Sequence, residues 1–148
     1  MAFLSSSLEL INASAAIQPQ RMGLPLYLAP VEAGFPSPAD DYLDRRLDLH
    51  QHLVRNEAAT FFLRAHGESM LGAGIHDGDL LIVDRSMDAA HRKVVIAALD
   101  GELTVKRLLH REGRVLLAPE NPRFEPIDIT ESESVHLWGV VTYVVHKL

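Results

Sequence analysis

Short runs of hydrophobic residues, separated by glycine, aspartate and proline, follow one another from residue 60 to the end of the chain. Apolar runs of this kind, bounded by turn residues, are typical of β-strands. Asp100-Gly101 is in addition a two-residue hairpin signal between two of the runs. The pattern predicts a small, mostly β domain with mainly antiparallel strands. The predicted strands are Thr60–Ala65, Asp79–Asp84, Val94–Leu99, Glu102–Leu109, Arg114–Ala118 and Leu137–Val145.

Before the strands, the spacing of the hydrophobic residues changes to that of a helix. The segment Ser37-Pro38-Ala39-Asp40 has the form of a helix start, with serine as N-cap, proline at the first helical position and an acid three positions after the serine. Leu43, Leu47 and Val54 then fall near one face of a helix. We therefore expect one short helix from Pro38 to Val54.

Residues 1–33 differ in composition from the rest of the chain. They are rich in serine, alanine, glutamine and proline, and their charged residues are Glu9, Arg21 and Glu32. The prolines interrupt any helix, because proline lacks the backbone N–H that a helix interior needs. We interpret residues 1–33 as an extended, flexible arm and residues 34–148 as the folded domain. An ordinary frayed terminus is the alternative for the arm.

Composition and charge exclude several classes of function. Hydrophobic residues make up 47% of the 148 residues, enough for a core. The net charge is −6 and lysine and arginine form no run, which argues against direct binding to DNA phosphates. No apolar run approaches the roughly 18 residues of a membrane span, and the N-terminus lacks the basic start of a signal peptide. The absence of cysteine excludes disulfides and thiol catalysis and fits a reducing cytoplasm.

A candidate nucleophile lies in a glycine-rich turn directly after the first predicted strand. In His66-Gly67-Glu68-Ser69-Met70 the serine follows a glycine, and further glycines come after it. Such a turn can leave backbone N–H groups unpaired, as the oxyanion of an acyl-transfer reaction requires. The N–H groups of Ser69 and Met70 are the expected pair. Alone the signal is weak, because a serine beside glycine is more often an ordinary turn residue.

A serine nucleophile needs a base, and the predicted strand Glu102–Leu109 carries a candidate. Alternation along the strand puts Thr104, Lys106 and Leu108 on one face. A leucine beside the lysine would partly desolvate the ammonium, which lowers its pKa and favours the neutral amine that can accept a proton. The alternative is a solvent-exposed strand lysine, and Lys106 alone does not decide between the two.

Other patterns fit metal or phosphate sites poorly, and we expect no metal and no cofactor. His50 and His52 are two positions apart, so on a helix they point to different faces. Asp77-Gly78-Asp79 lacks the remainder of a calcium loop and fits a tight turn. The glycines after Ser69 lack the Gly-Lys-Ser/Thr sequence of a phosphate loop. His66 is interpreted as a strand-end residue and not as the base of a triad.

In combination, the ordered motifs resemble the self-cleaving serine–lysine peptidase family that includes LexA, phage repressors and UmuD. Lys106 follows Ser69 by 37 residues. The resemblance spans about residues 33–145. It implies the LexA C-terminal-domain-like antiparallel β fold, with Ser69 as nucleophile and Lys106 as base. The matching segments are GESM around Ser69, GIHDGDLLIVDRS at 74–86, VVIAALDGELTVKRL at 94–108, NPRFEPI at 121–127 and WGVV at 138–141.

Within the family the resemblance is strongest to UmuD. The segment AGFPSPA at 33–39 is similar to the UmuD cleavage region, which implies a scissile bond between Ala33 and Gly34. Glycine after the bond lets the backbone approach the nucleophile closely. LexA and phage repressors carry an N-terminal DNA-binding domain, for which the proline-rich arm is too short.

The resemblance also implies partners and a role. A homodimer formed through the β domain would cut itself when stimulated by a RecA filament, as part of the SOS response to DNA damage. The trimmed form would join a UmuC-type Y-family polymerase in translesion synthesis. Two other functions are considered. One is a dimeric interaction module in which Ser69 and Lys106 have no catalytic role. The other is a protease that processes other chains. The internal Ala33–Gly34 bond argues against this second alternative.

Overall fold

Strands dominate the computed structural model, which describes residues 23–28, 31–34 and 43–148, and the strand pairs are antiparallel. The chain divides into two units, Met1–His52 and Leu53–Leu148. Within the described ranges, no helix has the length and apolar character needed to cross a membrane. The predicted mostly β, antiparallel fold is therefore confirmed.

The first unit contains one strand pair, β1 (Leu24–Tyr27) and β2 (Leu43–Leu47). The Arg46 guanidinium donates a hydrogen bond of 3.0 Å to the carbonyl of Gly23, beside the start of β1. A Cβ atom at Gly23 would lie 2.6 Å from the backbone of Leu47, so this close approach needs glycine. β1 lies within the predicted arm, and the residues of the arm before Gly23 are outside the described part of the chain.

The predicted helix from Pro38 to Val54 is wrong over residues 43–47, which form β2. Pairing with β1 satisfies the backbone N–H and C=O groups of this segment in place of helical hydrogen bonds. A helix, α1, spans only Leu49–Leu53. It begins after Asp48, whose carboxylate accepts hydrogen bonds from the N–H groups two and three positions on, at 3.0 and 3.3 Å. The predicted helix start at 37–40 lies outside the described residues.

Seven strands make up the second unit: β3 (Thr60–Arg64), β4 (Leu80–Asp84), β5 (Val94–Leu99), β6 (Glu102–Arg111), β7 (Arg114–Ala118), β8 (Ile127–Asp128) and β9 (Val135–Val145). They form one sheet in the order β3-β4-β9-β5-β6-β7-β8. Six of them agree with the predicted strands to within two residues at each end. β8 was not predicted, because two residues carry no periodicity. Short 3-10 helices occupy Glu57–Ala59 and Leu71–Ala73.

Tight hairpins join β5 to β6 and β6 to β7. Asp100 (φ 49°) and Gly101 (φ 83°) form the turn of the first hairpin, as predicted. Glu112 (φ 51°) and Gly113 (φ 76°) form the second. Positive φ at both turn positions is typical of type I′ turns, whose twist matches that of paired strands. The first turn therefore fixes the register of β6 against β5, and with it the position of Lys106.

Hydrophobic residues are buried in two clusters, and β5 contributes to both. Ile96 packs in the first cluster, and its neighbours Val95 and Ala97 pack in the second, because successive strand residues point to opposite faces. Met70 belongs to the first cluster, so the turn that carries Ser69 is anchored in the core. Burial of a methionine side chain stabilises the fold by about 1.5–3 kcal/mol. The first cluster is Ala65, Met70, Ile75, Leu81, Val83 and Ile96; the second is Val95, Ala97, Leu108, Leu117 and Val140.

Candidate active site

The turn between β3 and β4 places Ser69 at the edge of the core. Gly67 adopts a φ of 91°, a left-handed conformation that favours glycine. Its N–H donates a hydrogen bond of 2.7 Å to the Asp77 carboxylate, which closes the turn. Met70, the residue directly after the serine, is only 2% exposed, so its buried side chain anchors this part of the turn in the core. The Ser69 hydroxyl is thereby held at a defined position.

The Lys106 side chain reaches Ser69 from β6. Its Nζ atom lies 2.9 Å from Ser69 Oγ, 2.9 Å from the Thr104 hydroxyl oxygen and 3.1 Å from the Val105 carbonyl oxygen. Thr104 and Lys106 therefore share one face of the strand, as the alternation predicts. Burial lowers the pKa of Lys106 below its ordinary value, because an ammonium is less stable where water is excluded. The structure thus brings the two predicted residues into hydrogen-bonding contact.

The backbone N–H groups of Ser69 and Met70 have no hydrogen-bond acceptor among the described residues. The turn satisfies its carbonyls instead: Met70 O accepts from the N–H groups of Ala73 (3.0 Å) and Ile75 (3.2 Å). Two unpaired N–H groups beside a serine hydroxyl form a donor set suited to an oxyanion. The predicted pair is thus available to a ligand.

Glu120, in the loop after β7, holds the serine turn by backbone hydrogen bonds in both directions. Its N–H donates to the carbonyl of Ser69 (2.8 Å), and its carbonyl accepts from the N–H of Gly72 (2.7 Å). A Cβ atom at Gly72 would lie 2.7 Å from the Glu120 carbonyl oxygen, so the contact needs glycine. The Glu120 carboxylate also forms an ion pair with Arg107, the neighbour of Lys106. One residue therefore links the serine turn to the strand of the lysine.

Asn121 adds a further link to the same turn. Its side-chain amide donates a hydrogen bond of 2.9 Å to the carbonyl of Glu68. Its side-chain oxygen accepts from the N–H of Arg123 at 3.0 Å, which orients the amide. Positioning roles for Glu120 and Gly72 were not predicted, because contacts between backbones leave no side-chain pattern in a sequence. The Asn-Pro segment beginning at Asn121 was the available signal.

A cavity of about 270 Å³ opens beside the Ser69–Lys106 pair. Leucine and alanine side chains form much of its wall, among them Leu63, Ala65 and Leu103. A wall of this kind limits access of water to the lysine, which agrees with the lowered pKa of Lys106. A cavity of this size can hold a few residues of an extended peptide with small side chains.

His66 also borders this cavity, but among the described residues its polar partner is Asp77 and not the serine. Its Nδ1 atom lies 3.0 Å from the Asp77 carboxylate. Among the described side chains, the hydrogen-bond partner of Ser69 Oγ is Lys106. The geometry is therefore that of a serine–lysine pair and not of a serine–histidine pair. Asp77-Gly78-Asp79 forms the predicted tight turn, with Gly78 at a φ of 87°.

Ala33 and Gly34, the residues of the predicted scissile bond, belong to the first unit and are exposed. They lie in the connection between β1 and β2. Apart from its chain neighbours, no atom of the described residues would lie within 4 Å of a Cβ atom at Gly34, so packing among these residues does not require glycine there. The cleavage of this bond stays a prediction.

Known proteins resemble the chain over most of its length. The family model Peptidase S24-like matches residues 25–142. MucA from Salmonella typhimurium is 50% identical over 121 residues, which cover 81% of this chain and 82% of MucA. ImpA from Salmonella typhimurium is 49% identical over 125 residues, 83% of each chain. LexA repressor 1 from Geobacter sulfurreducens is 40% identical over 119 residues, 80% of this chain and 58% of the repressor.

The family match and the antiparallel β architecture together confirm the predicted LexA C-terminal-domain-like fold. The family model spans both units, from the start of β1 to within β9. The similarity to MucA and ImpA extends over more than four fifths of each of those proteins, whereas it covers little more than half of the LexA repressor. The chain belongs to the Peptidase S24-like family of self-cleaving serine peptidases and is a UmuD-type member of it.

Proposed function

We propose that this chain is a self-cleaving peptidase of the SOS response in which Ser69 and Lys106 act as nucleophile and base on the Ala33–Gly34 bond. A RecA filament stimulates the cut. The trimmed homodimer then serves in the cytoplasm as accessory subunit of a UmuC-type Y-family polymerase during translesion synthesis. The observation that carries the proposal is the 2.9 Å contact between Lys106 Nζ and Ser69 Oγ, beside two unpaired N–H groups.

In the first chemical step the neutral Lys106 amine takes the proton of the Ser69 hydroxyl while Oγ attacks the carbonyl carbon of Ala33. The negative charge moves to the Ala33 oxygen, and the N–H groups of Ser69 and Met70 stabilise it. Lys106, now an ammonium, gives its proton to the amide nitrogen of Gly34 as the C–N bond breaks. The products are an ester between Ala33 and Ser69 and a free amine at Gly34.

In the second step water hydrolyses the ester. Lys106 is neutral again after the first step, so it takes a proton from the attacking water and passes one to Ser69 Oγ as the ester bond breaks. Ala33 leaves as a carboxylic acid, which releases its proton to water. The hydrogen bonds from Lys106 Nζ to the Thr104 hydroxyl and the Val105 carbonyl orient the amine throughout. No group other than these side chains and water is needed to balance the reaction.

The proposed partners are inferred from the similar proteins and from the net charge of the chain. MucA, ImpA and SamA match the chain over four fifths or more of their own length, which supports a shared role. The net charge of −6 supports a role through protein partners without direct DNA binding.

Cleavage is expected between Ala33 and Gly34 when the purified protein is incubated with RecA filaments on single-stranded DNA and ATP. Intact-mass spectrometry should then show two products, residues 1–33 and 34–148. A Gly34→Glu variant is the control: its fold should be retained because the position is open, but the added side chain blocks approach to Ser69. A cut at another bond, for instance Met22–Gly23, would contradict the assignment. A chain that stays whole under these conditions would favour the interaction module.

Gly72→Ala is expected to slow the cut by about a hundredfold without unfolding the protein. The new Cβ would lie 2.7 Å from the carbonyl oxygen of Glu120, so the serine turn has to move away from it. A displacement of about 1 Å in an active site can reduce the rate by roughly 10². The rate of product formation measures the effect, and thermal unfolding tests the fold. An unchanged rate would show that Glu120 does not position Ser69.

A further inference from the structure

Three side chains from two distant parts of the sequence meet at one end of β4 and β9. Asp79 directly precedes β4 and His146 directly follows β9, and 67 positions separate them. Leu80 and Val145 are paired across the two strands, so their outer neighbours lie side by side. His76, from the turn after Ser69, completes the group. Because this contact depends on sheet pairing, no spacing in the sequence predicts it.

Both imidazoles present a nitrogen to the same carboxylate. His146 Nδ1 lies 2.6 Å from one oxygen of Asp79, and His76 Nδ1 lies 3.6 Å from the other. The two rings are 4.4 Å apart between centroids and tilted by 32°. One potential ligand atom from each of the three residues lies within 4.8 Å of the others. The group is thus a compact set of two nitrogen donors and one oxygen donor.

The carboxylate is buried, whereas the imidazoles face water. The Asp79 side chain is 3% exposed, against 49% for His76 and 41% for His146. The N–H of His76 donates a hydrogen bond of 2.8 Å to Asp79, and this bond is the main reason that the pKa of the Asp79 carboxyl lies below its ordinary value. Buried charges in proteins are normally paired or coordinate a metal. Ions can reach the site from the side of the exposed histidines.

We propose that His76, Asp79 and His146 bind a divalent ion of the zinc class. His76 Nδ1, His146 Nδ1 and one Asp79 oxygen are the ligands, and solvent completes the coordination. Zinc–ligand bonds of about 2.0–2.2 Å in tetrahedral geometry require ligand atoms roughly 3.3–3.5 Å apart. The three donor atoms lie within 4.8 Å of one another, and His146 Nδ1 lies 2.6 Å from its Asp79 oxygen, so shifts of up to about 1.5 Å bring the donors to this spacing. Imidazole ligands favour zinc over magnesium and calcium, which prefer oxygen.

A bound ion would connect the end of β9 to the turn that follows Ser69. Asp79 ends this turn, and His76 lies within it. The ligands are distinct from Ser69 and Lys106, so zinc binding does not depend on the proposed self-cleavage. Binding therefore acts on the stability of the turn and of the strand end, and both can be measured without any cleavage assay.

The test is zinc binding to the full-length, tag-free protein after treatment with a chelator, measured by isothermal titration calorimetry. One Zn²⁺ per chain should bind, and zinc should raise the midpoint of thermal unfolding. His146→Gln and His76→Gln should each weaken binding at least about tenfold and remove the thermal shift. Both positions are partly exposed, so the variants should fold. A millimolar excess of Mg²⁺ should not displace the zinc.

His136→Gln is the matched control, because His136 is an exposed histidine on the same strand, β9, outside the cluster. It should bind zinc as tightly as the parent chain. No stoichiometric zinc binding by the parent would overturn the proposal and would leave the three residues as a hydrogen-bonded group only. Parent-like affinity in both His76→Gln and His146→Gln would overturn it as well, since the ion would then lie elsewhere.

Discussion

Ser69→Ala and Lys106→Ala are each expected to abolish self-cleavage in the presence of RecA filaments while the protein stays folded. The first variant lacks the attacking oxygen and the second lacks the group that accepts its proton. We expect the rate to fall by at least about 10⁴-fold in either case. The double variant should be no slower than the single ones, because the two residues act as a unit. The fraction of cut chain over time measures all three.

Lys106→Arg separates the role of Lys106 as a base from that of its charge, and Lys93→Ala serves as a control. Lys106→Arg keeps a positive charge on β6 but cannot give a neutral base, since arginine does not deprotonate in proteins, so it should also be inactive. Lys93→Ala removes an exposed lysine just before β5 and should be cut normally. Trp138, the single tryptophan, lies on β9, so its fluorescence reports whether the sheet is folded. Normal cutting by the Ser69→Ala or Lys106→Ala chain would refute the pair.

The rate of self-cleavage is expected to rise with pH above neutrality and then to level off. Lys106 can act as a base only when it is neutral, and burial lowers its pKa. Below that pKa the neutral fraction grows about tenfold for each pH unit, so the rate should follow it. Above the pKa the amine is already neutral, and a further rise in pH adds nothing. Cleavage rates across a pH series therefore locate the plateau.

The pH series needs a control for the activator, because RecA filaments respond to pH themselves. Incubation without RecA, at alkaline pH and for longer times, measures the reactivity of the Ser69–Lys106 pair alone. Ser69→Ala should remain uncut throughout this series. Trp138 fluorescence defines the range in which the sheet is intact. A rate that falls steadily from neutral to alkaline pH, with the sheet intact, would exclude a lysine base.

The sheet was predictable because its signals are local. Apolar runs ending in turn residues located six strands, and Asp100-Gly101 formed the expected hairpin with positive φ at both positions. Strand alternation put Thr104 and Lys106 on one face, where their side chains are hydrogen-bonded. The contact of Lys106 with Ser69 had no such local signal, because it was expected from the family resemblance and not from spacing alone.

The features that the sequence did not predict correctly depend on contacts between distant segments of the chain. Leu43 and Leu47 fit a helical face, but pairing with a strand some twenty residues earlier made 43–47 a strand. Glu120 is bonded to the Ser69 turn by hydrogen bonds between backbone atoms, which any residue type could form. The cluster around Asp79 exists only because β4 and β9 are neighbours in the sheet. None of these contacts has a periodic or compositional signature.

The pairing of β1 with β2 gives a cut at Ala33–Gly34 a consequence beyond the loss of residues 1–33. β1 lies before the bond and β2 after it, so hydrolysis turns one hairpin into two separate chains. While the connection is intact, a short tether holds the strands at an effective concentration of roughly millimolar. Once nicked, a two-strand pair is marginally stable at best in water, and the N-terminal fragment should dissociate. The N–H and C=O groups of Leu43–Leu47 that β1 had covered would then form a newly open strand edge, to which another chain can add by β-augmentation.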